Sequence, residues 1–279
     1  DTLSPFPEEL NRQLIARIAC FHLAPTTENL GNLVQEHVPA TRVFVTGNTG
    51  IDALQWAADM QTPFDDPRLE DLVESDHPVI VVTAHRRENW EGGLARIATA
   101  IAEVARSRPE VRVVLPLHPN PRVRDAIRPI LDGIENVLLT EPLEYANFAR
   151  LLKRARIAIT DSGGVQEEAP SLGTPVLVTR DQTERQEGVD AGTLKLVGTN
   201  TQLIVAETLQ LLDNEVAYEA MSTRRNPYGD GFAAARIVAA LETIAFGETA
   251  PSPFGPSFSR SAVLLAAGYE DLPASPYEM

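Results

Sequence analysis

The stretch ITDSGGVQEEAPSLG, residues 159–173, combines three features that predict an anion-binding turn in an α/β fold. A short apolar strand ends at Asp161, two glycines follow, and two glutamates open a segment with helical spacing. Gly163 and Gly164 have no Cβ atom, so an anion can approach the backbone closely. The free N–H groups at the start of the helix point toward such an anion, and the helix dipole adds a favourable potential.

Two polar residues extend this turn. The hydroxyl of Ser162 can donate to an anion, and Glu168 follows about one helical turn later, where its carboxylate can accept from two vicinal hydroxyls. A diphosphate joined to a ribose fits this arrangement, so the residues favour a nucleotide-sugar ligand. The alternative is an ordinary glycine turn in which Glu167 and Glu168 merely complement the helix dipole.

The rest of the chain alternates between apolar strands and amphipathic helices. The strands are expected at 41–48, 78–84, 111–117, 136–140, 156–160, 175–179 and 194–198. The helices are expected at 51–60, 94–107, 123–133, 144–155, 165–173, 200–212 and 232–246. Strands that are apolar throughout and separated by helices predict a parallel sheet covered on both faces. The fold class is therefore α/β, a Rossmann-like doubly wound parallel sheet over 78–225.

In such sheets, ligands bind outside the carboxyl ends of the strands. His85 and Arg86 follow one predicted strand, His118 follows the next, and Asp161 ends the strand before the glycine turn. These groups should line one crevice. His85 can hydrogen-bond a phosphate or transfer a proton near neutral pH, or it can be a loop histidine that caps the next helix.

Arg86 and Arg87 can bind phosphate or pair with nearby glutamates. His118 lies in the segment LHPNP, where it can face a ligand or belong to a structural turn.

Composition excludes several classes of function. The 279-residue chain has a formal net charge of −15, which argues against general nucleic-acid binding. No apolar run is long enough to span a membrane, and the single cysteine, Cys20, excludes an intramolecular disulfide. We therefore expect a cytoplasmic protein. No set of side chains has metal-ligand spacing and no GxGxxG fingerprint occurs, so we expect neither a metal nor another cofactor.

Six stretches carry a further signal. They are SPFPEELNR (4–12), FVTGNTGIDAL (44–54), TAHRREN (83–89), TDSGGVQEEAPSLGTPVLV (160–178), TERQEGVDAGTLKLVGT (183–199) and NPYGDG (226–231). Together they resemble the non-hydrolysing, bacterial-type UDP-N-acetylglucosamine 2-epimerases. The resemblance runs from residue 1 to about 246 and is dense and ordered along the chain.

The resemblance implies interconversion of UDP-N-acetylglucosamine and UDP-N-acetylmannosamine, with no metal or other cofactor. In the family mechanism, UDP is eliminated while the C2 proton is removed, and UDP adds back after reprotonation on the opposite face. Membership also implies an isomerase of cell-envelope polysaccharide biosynthesis. The competing interpretations are a UDP-sugar glycosyltransferase of the same architecture and a non-catalytic UDP-sugar-binding module.

The resemblance also assigns roles to the residues of the glycine turn. It implies that Ser162, Gly163 and Gly164 hold the diphosphate and that Glu168 holds the ribose. These assignments agree with the interpretation of the turn from its residue types alone.

Further site residues rest on the resemblance. His85 should lie at the phosphate and favour the departure of UDP, and Glu8 matches a carboxylate implicated in proton transfer. Leu143 and Phe148 match positions that contact uracil, and Arg185 should face the sugar-phosphate.

The resemblance implies two kinds of partner in addition to the substrate. Arg86 and His118 match positions that, in some members, contact a second UDP-sugar acting as an activator. The full-length protein is expected to be a homodimer. No nucleic-acid or membrane partner is expected.

Family members have two Rossmann-like domains in a GT-B-like architecture, and this chain resembles the C-terminal half with a remnant of the first domain. Because most of the first domain is missing relative to the family, we expect this chain to epimerise weakly or not at all. We also expect the chain to consist of five segments. The expected segments are 1–60 (the C-terminal part of the first Rossmann-like domain), 61–77 (a linker), 78–225 (the UDP-binding domain), 226–246 (a helix crossing back to the first domain) and 247–279 (a flexible tail).

Overall fold

The structure, a computed structural model, describes residues 6–60 and 62–255. The chain divides into two units. The first consists of the described residues of 1–52 and 227–279, and the second of the described residues of 53–226. Residues 256–279, which form most of the expected tail 247–279, lie outside the described residues.

Within the described residues, the chain forms eight strands and twelve α-helices. The strands are β1 (His22–Ala24), β2 (Val43–Val45), β3 (Val79–Thr83), β4 (Arg112–Pro116), β5 (Val137–Thr140), β6 (Ile157–Thr160), β7 (Val176–Val178) and β8 (Leu194–Leu196). The helices are α1 (Glu8–Ile18), α2 (Thr27–Gln35), α3 (Thr49–Ala58), α4 (Pro67–Glu74), α5 (Gly93–Ser107), α6 (Pro121–Leu131), α7 (Tyr145–Arg154), α8 (Gly163–Glu168), α9 (Gln186–Ala191), α10 (Thr201–Asp213), α11 (Glu215–Ser222) and α12 (Ala233–Phe246).

The second unit contains a six-stranded sheet in the order β5-β4-β3-β6-β7-β8. Every adjacent pair of these strands is parallel. Counted from β3, the order is 3-2-1-4-5-6, the doubly wound order that reverses between its first and fourth strands. The predicted α/β fold with a Rossmann-like doubly wound sheet is confirmed. The reversal lies between β3 and β6, whose carboxyl ends are expected to form the ligand crevice.

Both faces of this sheet are buried, as the continuous apolar runs of its strands predict. Successive side chains of a strand point to opposite faces. Accordingly, Ile80 and Val82 of β3 pack in one apolar cluster with α5, α6 and α10, whereas Val79 and Val81 pack in a second cluster with α4 and α7. A polar side chain on β3 before Thr83 would face one of these clusters, so ligand chemistry is confined to the strand ends.

The first unit contains a parallel pair formed by β1 and β2. Leu30 and Val34 of α2 pack with these strands in a third apolar cluster. Asp52 of α3 caps α12, because its two carboxylate oxygens accept from the backbone N–H groups of Ala233 (3.1 Å) and Ala234 (2.8 Å). This side chain satisfies two of the N–H groups that a helix start leaves without a partner.

The segment after α12 differs from the expected flexible tail. The backbone N–H of Phe254 donates to the carbonyl of Val45 at 2.9 Å, and the Phe254 ring is 8% exposed in the cluster with α2. The guanidinium of Arg236 lies 5.5 Å from the centre of that ring. The chain up to Phe254 is therefore anchored to the first unit by a hydrogen bond and by apolar burial.

Several short elements were not predicted. The segment 61–77, expected as a linker, contains α4, whose Leu69 and Leu72 are buried in the second unit. The sequence analysis also missed α1, β1, α2, α9 and α11. The last four have three to nine residues, too few for a hydrophobic period to be distinguished from chance. Helix α1 has eleven residues, but none of them is buried.

We predict that Phe254→Ala loosens the first unit. Removal of a buried aromatic ring costs about 3 kcal/mol or more, because the lost contacts leave a cavity. Hydrogen–deuterium exchange of peptides that cover β2 and α2 should therefore become faster. The matched control is Phe246→Ala, since that ring is 79% exposed and its loss should change the exchange free energy by less than about 0.5 kcal/mol. Equal effects of the two substitutions would show that Phe254 is not an anchor.

Candidate functional site

The loops after β3 and β6 meet at the reversal of the sheet. Thr83 and Thr160 end the two strands in register, and their hydroxyls lie 2.6 Å apart. The Thr160 hydroxyl also accepts from the backbone N–H of Ser162 at 2.9 Å. The threonine pair thus lies at the point where the backbone leaves the sheet after β3 and after β6.

Asp161 joins these two loops. Its carboxylate is fully buried and accepts from the backbone N–H of His85 (2.9 Å), the backbone N–H of Arg86 (2.9 Å) and the side-chain amide of Asn89 (3.0 Å). The Asn89 amide also donates to the carbonyl of Thr179, at the end of β7. One carboxylate therefore accepts hydrogen bonds from two backbone N–H groups and one side-chain amide of the loop after β3. The asparagine that supplies this amide also connects the network to the end of β7.

The glycine turn lies directly after Asp161. Gly163 begins α8, and the N–H groups of Gly163, Gly164 and Val165 come too early in the helix to have a partner one turn back. Gly164 is exposed, and the nearest atom to a Cβ placed there would be the Ser162 hydroxyl at 3.9 Å. The turn therefore has backbone N–H groups without a helical partner, and it is accessible at Gly164.

The space beside Gly163 is filled by an arginine. A Cβ at this glycine would lie 3.0 Å from the guanidinium carbon of Arg185, which pairs with Glu167 at 2.9 Å. The predicted sugar-phosphate residue Arg185 and the predicted diphosphate residue Gly163 are thus adjacent. A side chain at position 163 would press against the Arg185 guanidinium, whereas the space beside Gly164 is open.

Glu168 lies at the end of α8, and burial raises its pKa to about 7. The hydroxyl of Tyr145 donates to Glu168 Oε1 over 3.4 Å, a long hydrogen bond that lowers the carboxyl pKa by less than burial raises it. Burial, with the adjacent carboxylate, also raises the pKa of Tyr145 to about 12. Glu168 therefore changes its protonation state near neutral pH and can accept from hydroxyl groups when ionised.

His85 and His118 are brought together. Their rings stack with centroids 5.5 Å apart and an angle of 11° between the planes. The His118 Nδ1 accepts from the backbone N–H of Asn120 at 3.1 Å. Burial lowers the pKa of His85, as do His118 and Arg86, while Asp161 opposes them. Two residues predicted for different roles thus share one edge of the crevice.

The remaining predicted residues occupy two places. Leu143, just before α7, and Phe148, within α7, are half-buried against the apolar cluster on the α7 face of the sheet. Glu8 is the first residue of α1 in the first unit and is exposed. The other predicted residues all belong to the second unit.

A charged network beside the turn was missed from the sequence. Arg180, 9% exposed, pairs with Glu88 (2.6 Å) and Glu184 (2.8 Å), and this arginine lowers the pKa of Glu184 to about 2. Gln166 is fully buried and accepts from the Thr183 hydroxyl at 2.6 Å. Arg180 and Thr183 follow β7, so the rule that polar residues cluster at strand ends could have identified them.

Within the described residues, no group of three or more His, Cys, Asp or Glu side chains could hold a metal ion. In the same part of the chain, no helix is long and apolar enough to cross a bilayer.

Comparison with known proteins places this geometry in a family. Residues 1–242 match the model described as UDP-N-acetylglucosamine 2-epimerase. A relative of that name from Yersinia pestis is 51% identical over 247 residues, which cover 87% of this chain. The chain spans 66% of the length of that relative and of those from Escherichia coli K12 and Salmonella typhimurium.

Solved structures are similar over the same range. The Staphylococcus aureus MnaA–UDP co-structure is 42% identical with a TM-score of 0.83, and the similarity covers 91% of this chain and 69% of that one. The UDP-GlcNAc 2-epimerase from Neisseria meningitidis, solved with UDP-GlcNAc bound, is 44% identical with a TM-score of 0.78. The similarity covers 86% of this chain and 66% of that one. The predicted GT-B-like fold class is confirmed by these neighbours.

We predict that Glu168 makes stability depend on pH. The folded carboxyl has a pKa of about 7, above its ordinary value of 4.5, so the folded chain holds a proton that the unfolded chain releases. The free energy of unfolding should therefore fall as the pH rises from about 4.5 to about 7 and then level off. Glu168→Gln should be more stable than the unsubstituted chain at pH 8, by a margin that shrinks toward pH 5.

Urea unfolding at several pH values, followed by far-ultraviolet circular dichroism, measures this difference. The control is Glu144→Gln, which removes an exposed carboxylate from the start of α7. A constant difference between the Glu168→Gln variant and the unsubstituted chain at all pH values would contradict the prediction.

Proposed function

This chain belongs to the UDP-N-acetylglucosamine 2-epimerase family, and on that premise we propose that its glycine turn binds the UDP of UDP-N-acetylglucosamine. The reaction is the interconversion of this substrate with UDP-N-acetylmannosamine. The observation that carries the proposal is the open glycine: Gly164 is exposed at a helix start, at the reversal of a doubly wound sheet. An anion at this point gains backbone donors and the helix dipole together.

The nucleoside part is recognised beside the diphosphate. Glu168, in its ionised form, accepts from the vicinal hydroxyls of the ribose, and the Tyr145 hydroxyl lies at the same carboxylate. Leu143 contacts the uracil through its backbone, and Phe148 contacts it through its ring. The relatives solved with UDP and with UDP-GlcNAc support a uridine nucleotide as the ligand.

The chemistry requires a leaving group and a proton transfer. Ser162 and the backbone donors of Gly163 and Gly164 hold the diphosphate, and His85 donates to a phosphate oxygen as UDP departs. Glu8 takes part in moving the C2 proton, and Arg185 faces the sugar-phosphate. Loss of UDP with the C2 proton gives a 2-acetamidoglucal, and re-addition after protonation on the other face inverts C2. The leaving group is already an activated phosphate, so the steps need no metal.

Further properties extend this proposal. Arg86 and His118 bind a second UDP-sugar as activator, and the stacking of His118 on His85 would connect that molecule with the phosphate site. The full-length protein is a cytoplasmic homodimer that supplies cell-envelope polysaccharide synthesis. The segments 1–60, 78–225 and 226–246 are the end of a first Rossmann-like domain, the UDP-binding domain and a helix that crosses back.

Incubation with UDP-N-acetylglucosamine alone tests the reaction. We expect a second anomeric signal, that of UDP-N-acetylmannosamine, in proton NMR spectra, and deuterium at C2 when the solvent is D₂O. The same assay identifies the competing functions. A glycosyltransferase would give no epimer without an acceptor, and a binding module would bind UDP in calorimetry without conversion.

Substitution of the two glycines tests the binding mode. Gly164→Ala meets no protein atom closer than 3.9 Å, and alanine favours a helix over glycine by about 1 kcal/mol. We therefore expect Gly164→Ala to keep or raise the stability of the chain while UDP affinity, measured by calorimetry, falls about tenfold or more, because 1.4 kcal/mol of lost contact is tenfold. Unchanged affinity would place the diphosphate elsewhere.

The contrasting variant is Gly163→Ala. Its methyl group would displace the Arg185 guanidinium, so it should lower both stability and affinity. Both variants should therefore bind UDP more weakly, but only Gly163→Ala should also be less stable.

A further inference from the structure

We propose that Asp161 is a positioning residue for His85: its carboxylate sets the orientation of the imidazole and holds the charge of its protonated form. This inference rests on the proposed function, since it explains how His85 comes to face a departing phosphate. The carboxylate belongs to the loop after β6 and the histidine to the loop after β3, so the contact crosses the reversal of the sheet.

The geometry gives the carboxylate two tasks. Asp161 Oδ2 accepts from the backbone N–H groups of His85 and Arg86 and from the Asn89 amide, which fixes the loop. Asp161 Oδ1 also accepts from the His85 backbone N–H at 3.1 Å, and it lies 3.3 Å from Nδ1 of the His85 ring. The first task requires only an acceptor, whereas the second depends on the negative charge.

Orientation of the ring follows from this second contact. A carboxylate near Nδ1 favours a proton on that nitrogen, and the other nitrogen, Nε2, then points away from Asp161. The His85 side chain is 35% exposed while Asp161 is fully buried, so the open side of the imidazole is the side away from the carboxylate. The Trp90 indole N–H donates to the His85 carbonyl at 3.2 Å and fixes the backbone of the histidine.

The surroundings of His85 make the carboxylate necessary. Burial, the stacked ring of His118 and the guanidinium of Arg86 all disfavour the imidazolium, and they lower the His85 pKa. Asp161 is the group that opposes them. A phosphate oxygen that gains charge as UDP leaves is best stabilised by an imidazolium N–H, so Asp161 keeps the histidine able to donate from Nε2.

The test is a titration of His85 by heteronuclear NMR in the absence of nucleotide. The full chain is labelled with ¹⁵N and ¹³C in histidine, and His85→Gln assigns the signals. In Asp161→Asn, which keeps the size of the side chain, we expect the His85 pKa to fall by about one pH unit and the preference for Nδ1–H in the neutral ring to weaken. The matched control Asp132→Asn removes an exposed carboxylate at the end of α6 and should leave the titration unchanged.

Two outcomes would overturn the inference. If Asp161→Asn is folded and His85 titrates as in the unsubstituted chain, the carboxylate only fixes the loop. If Asp161→Asn does not fold, the unsubstituted chain decides: an Nε2–H majority in neutral His85 would contradict the proposed orientation, and an Nδ1–H majority would support it.

The result is separable from the proposed function. The titration needs neither UDP nor turnover, so failure to bind UDP overturns the proposed function while the His85 signals still decide the role of Asp161. A purely structural aspartate would change unfolding curves and hydrogen exchange but not the pKa or tautomer of the histidine.

Discussion

The hydrogen bonds accepted by Asp161 are the constraint on which the rest of the site depends. The strand order places β3 beside β6, so Thr83 pairs in register with Thr160 although the two residues are 77 positions apart in sequence. The loops after β3 and β6 leave the sheet side by side, and the backbone N–H groups of the loop after β3 need an acceptor there. The buried carboxylate supplies it, since unsatisfied buried donors are costly. The loop that carries His85 and the loop that carries the glycine turn are therefore joined by hydrogen bonds within the protein.

The use of backbone donors is consistent with the proposal that this acidic chain binds a diphosphate. The net charge is −15, and two arginines near the turn are already paired, Arg180 with two glutamates and Arg185 with Glu167. The backbone N–H groups at the start of α8 add a positive potential that does not depend on these arginines. A backbone donor has a fixed direction and needs no counter-charge, so the site can attract an anion without a basic surface.

The sequence predicted the central fold and the strand-end residues, because both depend on local patterns. Continuous apolar runs identify buried parallel strands, and β3 to β8 were all foreseen. The short pair β1 and β2 was foreseen only in part, since three residues of β1 carry no period. The position of Arg180 after β7 could have been noticed, but its pairing with Glu88 could not, because Glu88 is 92 residues away in sequence and only the fold brings it near. Phe254 was missed for the same reason, since its burial depends on partners in α2 and β2.

Burial shifts the pKa values of the two titrating groups of the site, Glu168 and His85, in opposite directions. It raises the pKa of Glu168 and lowers that of His85, so both groups are pushed toward their neutral forms. The proposed nucleotide diphosphate would oppose both effects, because phosphate favours the imidazolium and vicinal hydroxyls favour the carboxylate. A molecule that carries both phosphate and hydroxyl groups would stabilise the charged forms of both residues, which is a physical basis for the proposed preference for a nucleotide-sugar.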